Sequence, residues 1–233
     1  MKLSSILKEI DLFSVLSPEL LQEAGATARV RASKKDNVII SQGDICDSLI
    51  VILKGEVALE ILTSSGDSVM VDLLSQYSCL GEELLFEKER RYPYSVVSCS
   101  NCEVALISKS VIFNLISNEP LFSQAYFAQL SSHLSRKNQH IAILSQKSLR
   151  QKVGRYLLSL DSSPEQKSFL LPASRETIAK YLAMPRPSFS RELARLASDG
   201  ILKTEGREVT VLDFKKLEEV VLDGPKDDLK TET

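Results

Sequence analysis

The sequence predicts an α+β protein: an N-terminal antiparallel β-roll, jelly-roll-like, then a long helix, then a C-terminal winged helix-turn-helix. Three observations carry this. Residues 174–202 hold two short helical patterns split by a proline-containing turn. Residues 28–108 hold many short apolar runs separated by turn signals, the pattern of an antiparallel sandwich or barrel. Between them, a pattern opened by Pro120 keeps a seven-residue apolar repeat to about Ser145.

Residues 4–25 read as short amphipathic helices around Ile6, Leu7, Ile10, Leu12 and Phe13, with Pro18 opening a further turn. The strand-like runs are Val38–Ile40, Leu49–Leu53, Val57–Leu59, Val69–Val71, Val96–Val97 and Val104–Ile107. Gln42-Gly43-Asp44, Lys54-Gly55, Ser65-Gly66-Asp67 and Gly81 supply turns, and Glu83–Glu87 reads as a short helix. Ser110–Ile116 is a short helix. On the long helix Phe127, Leu130, Leu134, Lys137, Ile141, Leu144 and Ser148 alternate at spacings of three and four. So narrow a seam suits pairing with a second copy in a parallel homodimer; packing on the chain's own roll is the alternative.

Leu149–Leu160 reads as a helix, 161–167 as a polar loop and Phe169–Pro172 as a short strand. Ser174 caps the first helix of the pair. Pro187 suits the first turn of the second, which buries Phe189, Leu193 and Leu196 and ends at Asp199-Gly200. Two strand-like runs around Gly206 form the wing, and Asp213 caps a last helix. The expected organisation is a β-roll domain over 1–118, a dimerisation helix over 119–146, a winged helix-turn-helix domain over 147–223 and a disordered tail over 224–233.

The net charge of -2 hides an asymmetry. Residues 146–216 hold 14 Lys+Arg against 8 Asp+Glu, whereas residues 1–145 and the last 17 are each net -4. The basic charge thus falls on the helix-turn-helix, as a polyanion-binding module requires. Lys8, Glu9 and Asp11 interrupt any export signal, and no apolar run reaches the roughly 20 residues of a membrane span. A cytoplasmic protein with reduced thiols and no membrane partner is expected. Clustered nucleophile–base sets, phosphate-cradling glycine loops and paired catalytic carboxylates are all missing, which argues against an enzyme.

The order of parts resembles the Crp/Fnr family of bacterial transcription regulators across nearly the whole chain. The resemblance rests on Gln42-Gly43-Asp44, Leu53-Lys54-Gly55-Glu56-Val57, Ser65-Gly66-Asp67, Leu80-Gly81-Glu82 and Cys102-Glu103-Val104. In the C-terminal part it rests on Arg175–Ala179, Ser188–Leu193 and Leu196–Ile201. It implies a cyclic nucleotide-binding-like roll that senses an effector, and a long helix that transmits the signal. It implies operator DNA, a small-molecule effector, a second copy and RNA polymerase as partners. The second helix of the pair would enter the major groove, presenting Arg186, Pro187, Ser188, Ser190 and Arg191. Arg186 and Arg191 are the base-reading candidates, because a guanidinium binds guanine O6 and N7 together. Ser174, Arg175, Thr177, Ser188 and Lys203 suit phosphates. Arg195 reads as a phosphate contact or an internal ion pair. Pro187 stands where many family members carry glutamate, so their operator is not carried over.

Cyclic-nucleotide binders of this family follow Gly-Glu and a short helix with Arg-Ser/Thr-Ala, whose arginine holds the cyclic phosphate. Here Gly81, Glu82 and Glu83 are followed at that place by Tyr92, Pro93 and Tyr94. The implied effector is therefore not cyclic AMP. The two rings are expected at a pocket mouth, favouring a flat or apolar compound, with Lys137 and Asn138 of the long helix facing it. Lys137 either meets an acidic effector or sends its ammonium to water. Arg90 and Arg91 read as a surface loop, with the alternative that one turns inward.

No cysteine precedes Cys46, unlike the N-terminal cluster of iron–sulfur sensors in the family. Cys99-x-x-Cys102 is a weak metal or redox signal, and a sensor using Cys99 and Cys102 is the alternative function. A further rival is an effector-binding regulatory protein that does not read DNA. His133 and His140, seven apart, read as exposed helix surface, with metal or haem binding as the alternative.

Overall fold

The computed structural model describes residues 3–62, 68–160 and 167–222. The turn at 65–67, most of the loop at 161–167 and the tail at 224–233 lie outside the described residues. The chain forms two compact units, Met1–Ser135 and Arg136–Thr233.

The first unit opens with α1 (Leu3–Leu7), α2 (Asp11–Ser14) and α3 (Pro18–Thr27). Ser17 caps α3 by accepting from the Leu20 N–H, and Pro18 gives up no needed donor in the first turn. Among the described residues eight strands follow: β1 (Arg29–Ser33), β2 (Val38–Ile40), β3 (Ser48–Lys54), β4 (Val57–Leu62), β5 (Ser68–Leu74), β6 (Cys79–Leu80), β7 (Ser95–Ser98) and β8 (Cys102–Ser108). They form two four-stranded antiparallel sheets, ordered β1-β8-β3-β6 and β2-β7-β4-β5. On β3, Leu49 to Leu53 are all buried, which explains an unbroken apolar run rather than alternation. Leu49 stands opposite Ile107 and Ile50 opposite Leu106 on β8.

Two strands go beyond the sequence reading. In β1 the run Arg29-Val30-Arg31-Ala32 is exposed throughout, so it carries no burial signal; pairing with β8 makes it a strand. β6 has only two residues, bonded to Ile50 and Val51. The expected helix at Glu83–Glu87 is instead a series of hydrogen-bonded turns, with Leu84 and Leu85 N–H both bonded to the Gly81 carbonyl.

The first unit closes with α4 (Lys109–Asn118) and the opening turns of α5 (Pro120–Leu144). Phe122 of α5 packs on Phe13 of α2, ring centroids 5.7 Å apart, and both are fully buried. The N-terminal helices thus fasten the start of α5 to the roll core.

The second unit holds the later turns of α5, then α6 (Leu149–Ser159), β9 (Ser168–Leu170), α7 (Arg175–Tyr181), α8 (Arg186–Ser198), β10 (Leu202–Glu205), β11 (Glu208–Val211) and α9 (Phe214–Leu222). Ser148 belongs not to the seam of α5 but to a capping box: it accepts from Gln151 N–H, and Gln151 accepts from Ser148 N–H. Gly154 lets α6 and α9 approach closely, since a Cβ there would lie 3.2 Å from both Val220 and Val221. The wing is a three-stranded sheet ordered β10-β11-β9.

Candidate effector pocket and DNA interface

The turn after β6 carries the first candidate site. Gly81 has φ +91, and a Cβ there would meet the Tyr92 hydroxyl at 3.0 Å and Cys46 Sγ at 3.2 Å. Only glycine suits that backbone and that space. Glu82, 2 % exposed, points into the unit. Its main-chain carbonyl accepts from the Tyr126 hydroxyl at 2.8 Å. Its Oε1 accepts from Gln129 Nε2 at 3.1 Å and contacts His133 Nδ1. Tyr126, Gln129 and His133 fall at i, i+3 and i+7, one face of α5. Oε2 of Glu82 has no hydrogen-bond partner. Glu83, half-buried, accepts from the Tyr94 hydroxyl at 3.2 Å.

Tyr92 and Tyr94 are not at a mouth. Both are buried, edge to face with centroids 5.9 Å apart. Main-chain bonds between Tyr92 and the Gly43-Asp44 turn hold the first ring inward, while Pro93 is exposed. Burial pushes both phenols well above the usual tyrosine range and raises the Cys46 and Cys79 thiols, so all four are neutral at physiological pH. Arg91 is exposed and donates from Nη1 to the Gly43 carbonyl at 2.7 Å; Arg90 is half-buried. A groove of about 580 Å³ opens beside the two glutamates, floored by Phe86, Phe113, Tyr126 and Phe127.

Lys137 and Asn138 are exposed on the part of α5 that belongs to the second unit. The two histidines differ from the exposed surface expected of them. His133 is half-buried against Glu82, and His140 is buried. None of the four cysteines is in a disulfide. Cys102 is a small buried hydrophobe whose thiol donates to the Glu56 carbonyl at 3.1 Å.

Along the seam, Phe127, Leu134 and Ile141 are 60, 61 and 63 % exposed at intervals of seven residues. Leu130 and Leu144 are half-buried, and Leu130 packs against the roll core. Leu130 thus makes the contact with its own roll that the sequence left open as the alternative.

In the second unit, Ser174 accepts from Thr177 N–H at 3.1 Å and α7 begins at Arg175. The turn passes through Ala183, φ +49, and Pro185 is the N-cap of α8. Phe189, Leu193 and Leu196 bury one face of α8. Arg186, Pro187 and Arg191 are exposed; Ser188 and Ser190 are half-buried. Glu192 is buried rather than on an outer face, and Arg195 pairs with it at 2.8 Å. Arg175 donates to the Gly206 carbonyl at 3.1 Å, tying α7 to the wing. Lys203 pairs with Glu205 at 2.6 Å on the exposed wing.

The described parts occur in the same order as two known domain families. Residues 30–119 match the cyclic nucleotide-binding domain and residues 151–220 match the Crp-like helix-turn-helix domain. The chain belongs to the Crp/Fnr family. It is thus a DNA-binding transcription regulator by class, not an enzyme.

Two curated relatives show the similarity at the level of whole proteins. The nitrogen fixation regulation protein FixK of Azorhizobium caulinodans is 24% identical over 175 residues, 72% of this chain and 68% of that protein. The cAMP-activated global transcriptional regulator CRP of Escherichia coli is 25% identical over 179 residues, 75% of this chain and 85% of that protein. Among solved structures, FixK2 from Bradyrhizobium japonicum superposes with a TM-score of 0.66 at 19% identity, covering 84% of this chain and 98% of that one. Among the described residues no helix is long and apolar enough to cross a membrane.

Proposed function

We propose that this Crp/Fnr regulator binds operator DNA as a homodimer and is switched by a small effector other than cyclic AMP. The observation that carries the effector reading is the buried Tyr92–Tyr94 pair at the place of the family's phosphate-binding arginine. A cyclic phosphate there meets two neutral phenols and the carboxylates of Glu82 and Glu83. An anion buried without a cationic partner is costly. Losing one charge-assisted hydrogen bond, about 1.5–3 kcal/mol, weakens binding about ten- to hundredfold. Arg91, spent on the Gly43 carbonyl, faces solvent.

The homodimer reading is supported by Phe127, Leu134 and Ile141, large apolar side chains left exposed on one line of α5. The DNA reading is supported by the exposed Arg186 and Arg191 on α8 and by the basic charge of the segment around them. Within it, Ser174, Arg175, Thr177, Ser188 and Lys203 take the phosphate contacts, and Pro187 and Ser190 line the groove.

The test is calorimetric titration of cyclic AMP and cyclic GMP into the purified protein, with affinity for a selected operator measured alongside. The expected result is no tightening of operator binding by either nucleotide. Micromolar cyclic AMP binding that also tightens operator binding would overturn the effector reading.

A further inference from the structure

We propose that Glu82, Glu83 and His133 form a binding site for a divalent transition-metal ion of the Mn²⁺, Fe²⁺ and Zn²⁺ class. The three side chains each offer one ligand atom, and these atoms lie within 4.8 Å of one another. Neighbouring ligands bound at about 2.1 Å to one ion stand about 3.0–3.4 Å apart, so closure asks for up to about 1–2 Å of side-chain movement. Glu83 and His133 are half-buried and Glu82 is fully buried, so Glu82 is the fixed point.

A cluster of carboxylates is commonplace on a surface; this one is not there. Glu82 is 2 % exposed and its Oε2 has no hydrogen-bond partner. Leaving a carboxylate oxygen unsatisfied in a low-dielectric interior is expensive, and a cation removes that cost directly. The neighbours of Glu82 are a histidine and a glutamine amide on α5, with a second carboxylate beside it on the same turn. Two carboxylates with one imidazole nitrogen select borderline divalent ions over Mg²⁺, which prefers an all-oxygen octahedron. The ordered second shell is also present. The Tyr94 hydroxyl holds Glu83 and Gln129 Nε2 holds Glu82, which is how proteins orient metal-binding carboxylates. The groove beside Glu82 and Glu83 gives the ion a way in.

The ligands come from two elements, the turn after β6 and α5. An ion bound by all three therefore clamps α5 to the roll at His133, one residue before the exposed Leu134 of the seam. Resting on the effector reading above, this makes the ion the effector, or the part of it that the roll recognises.

The experiment uses the full-length chain, freed of metal with a chelator. Mn²⁺ is added and the free-ion electron paramagnetic resonance signal is followed, with Zn²⁺ and Mg²⁺ as competitors. Affinity for a selected operator is measured with and without Mn²⁺. The expected result is uptake of Mn²⁺, displaced by Zn²⁺ but not by equimolar Mg²⁺. Glu83→Gln and His133→Ala, at half-buried positions that spare Glu82, each weaken uptake about tenfold or more. Their melting temperatures establish that they fold. Wild-type protein that leaves the Mn²⁺ signal unchanged and binds no Zn²⁺ overturns the site, as does uptake indifferent to both substitutions. Residue-dependent uptake with unmoved operator affinity upholds the site and removes the ion from the effector role.

Discussion

The His140 imidazole lies flat on the Tyr181 ring, centroids 3.8 Å apart and planes 6° from parallel. Its Nε2 meets the Tyr181 carbonyl at 2.8 Å; a carbonyl only accepts, so Nε2 carries the proton. The last turns of α5 are thereby fixed to α7, the first helix of the DNA-binding pair. His140→Ala loses the stack and the hydrogen bond to that carbonyl. It should cost about 1–3 kcal/mol of stability. His140→Phe should recover the stacking part alone. An unchanged urea midpoint for His140→Ala would contradict this account.

The seam makes a prediction about assembly. Leu134→Lys places a charge at the middle of the exposed apolar line and should give monomers in sedimentation. Operator binding should fall with it, because two half-sites about one DNA turn apart need two recognition helices. A wild-type chain that sediments as a monomer at working concentrations would refute the dimer.

Base reading and phosphate contact separate by their response to DNA sequence. Arg191→Ala should cost about 1–3 kcal/mol on the selected operator and much less on random DNA. Lys203→Ala should weaken both to a similar degree and reduce the salt slope by about one. Since Lys203 already pairs with Glu205, Glu205→Ala should tighten both DNAs. Equal losses on both DNAs for Arg191→Ala would remove it from the reading set.

Alkaline pH should loosen both units. Tyr92 in the roll and Tyr156 in α6 have hydroxyls whose pKa is raised, first of all by burial. An unfolded tyrosine titrates near about 10. Below that value both states are protonated and the stability is full. Above it the unfolded chain ionises first, and stability falls by up to about 1.4 kcal/mol per pH unit for each group. Urea midpoints measured from about pH 9 to about pH 11 should drop, and the drop should be shallower in Tyr92→Phe. Equal slopes for wild type and Tyr92→Phe would argue that the ring does not stay neutral.

The turn between α7 and α8 carries strain that can be relieved. Ala183 is exposed and sits at φ +49, a region that costs a residue with a Cβ roughly 1–2 kcal/mol. Glycine fits there but adds freedom to the unfolded chain. The balance should leave Ala183→Gly more stable by up to about 1 kcal/mol. A fall in melting temperature would show that the Ala183 methyl makes a contact worth more than the strain.

What could be read from the sequence is what is local. Pro18 at the start of α3, the Ser174 cap, the proline at the start of α8 and the apolar runs of β3 and β8 each announce themselves within a few residues. What could not be read depends on a distant partner. The exposed, arginine-rich β1 becomes a strand only because β8 pairs with it. Glu82 meets Gln129 and His133 across 47 and 51 residues, and a polar stripe on α5 looks like surface until the roll covers it. The signal was present in the i, i+3, i+7 spacing of Tyr126, Gln129 and His133. Tyr92-Pro93-Tyr94 reads as the rim of a pocket because proline marks turns; main-chain bonds to Gly43 and Asp44 turn its rings inward.

Arg186 is carried between Pro185 and Pro187, at the first turn of α8. Each ring locks its own φ, and a residue preceding proline has few backbone conformations left. On the proposed DNA reading, an Arg186 that meets a base edge would have almost no main-chain freedom left to surrender; only its side-chain rotations would be frozen. A Pro187→Ala protein would keep the same guanidinium yet hold it on a looser leash. The loss would then surface as a less favourable entropy of association, with the enthalpy of the contact preserved.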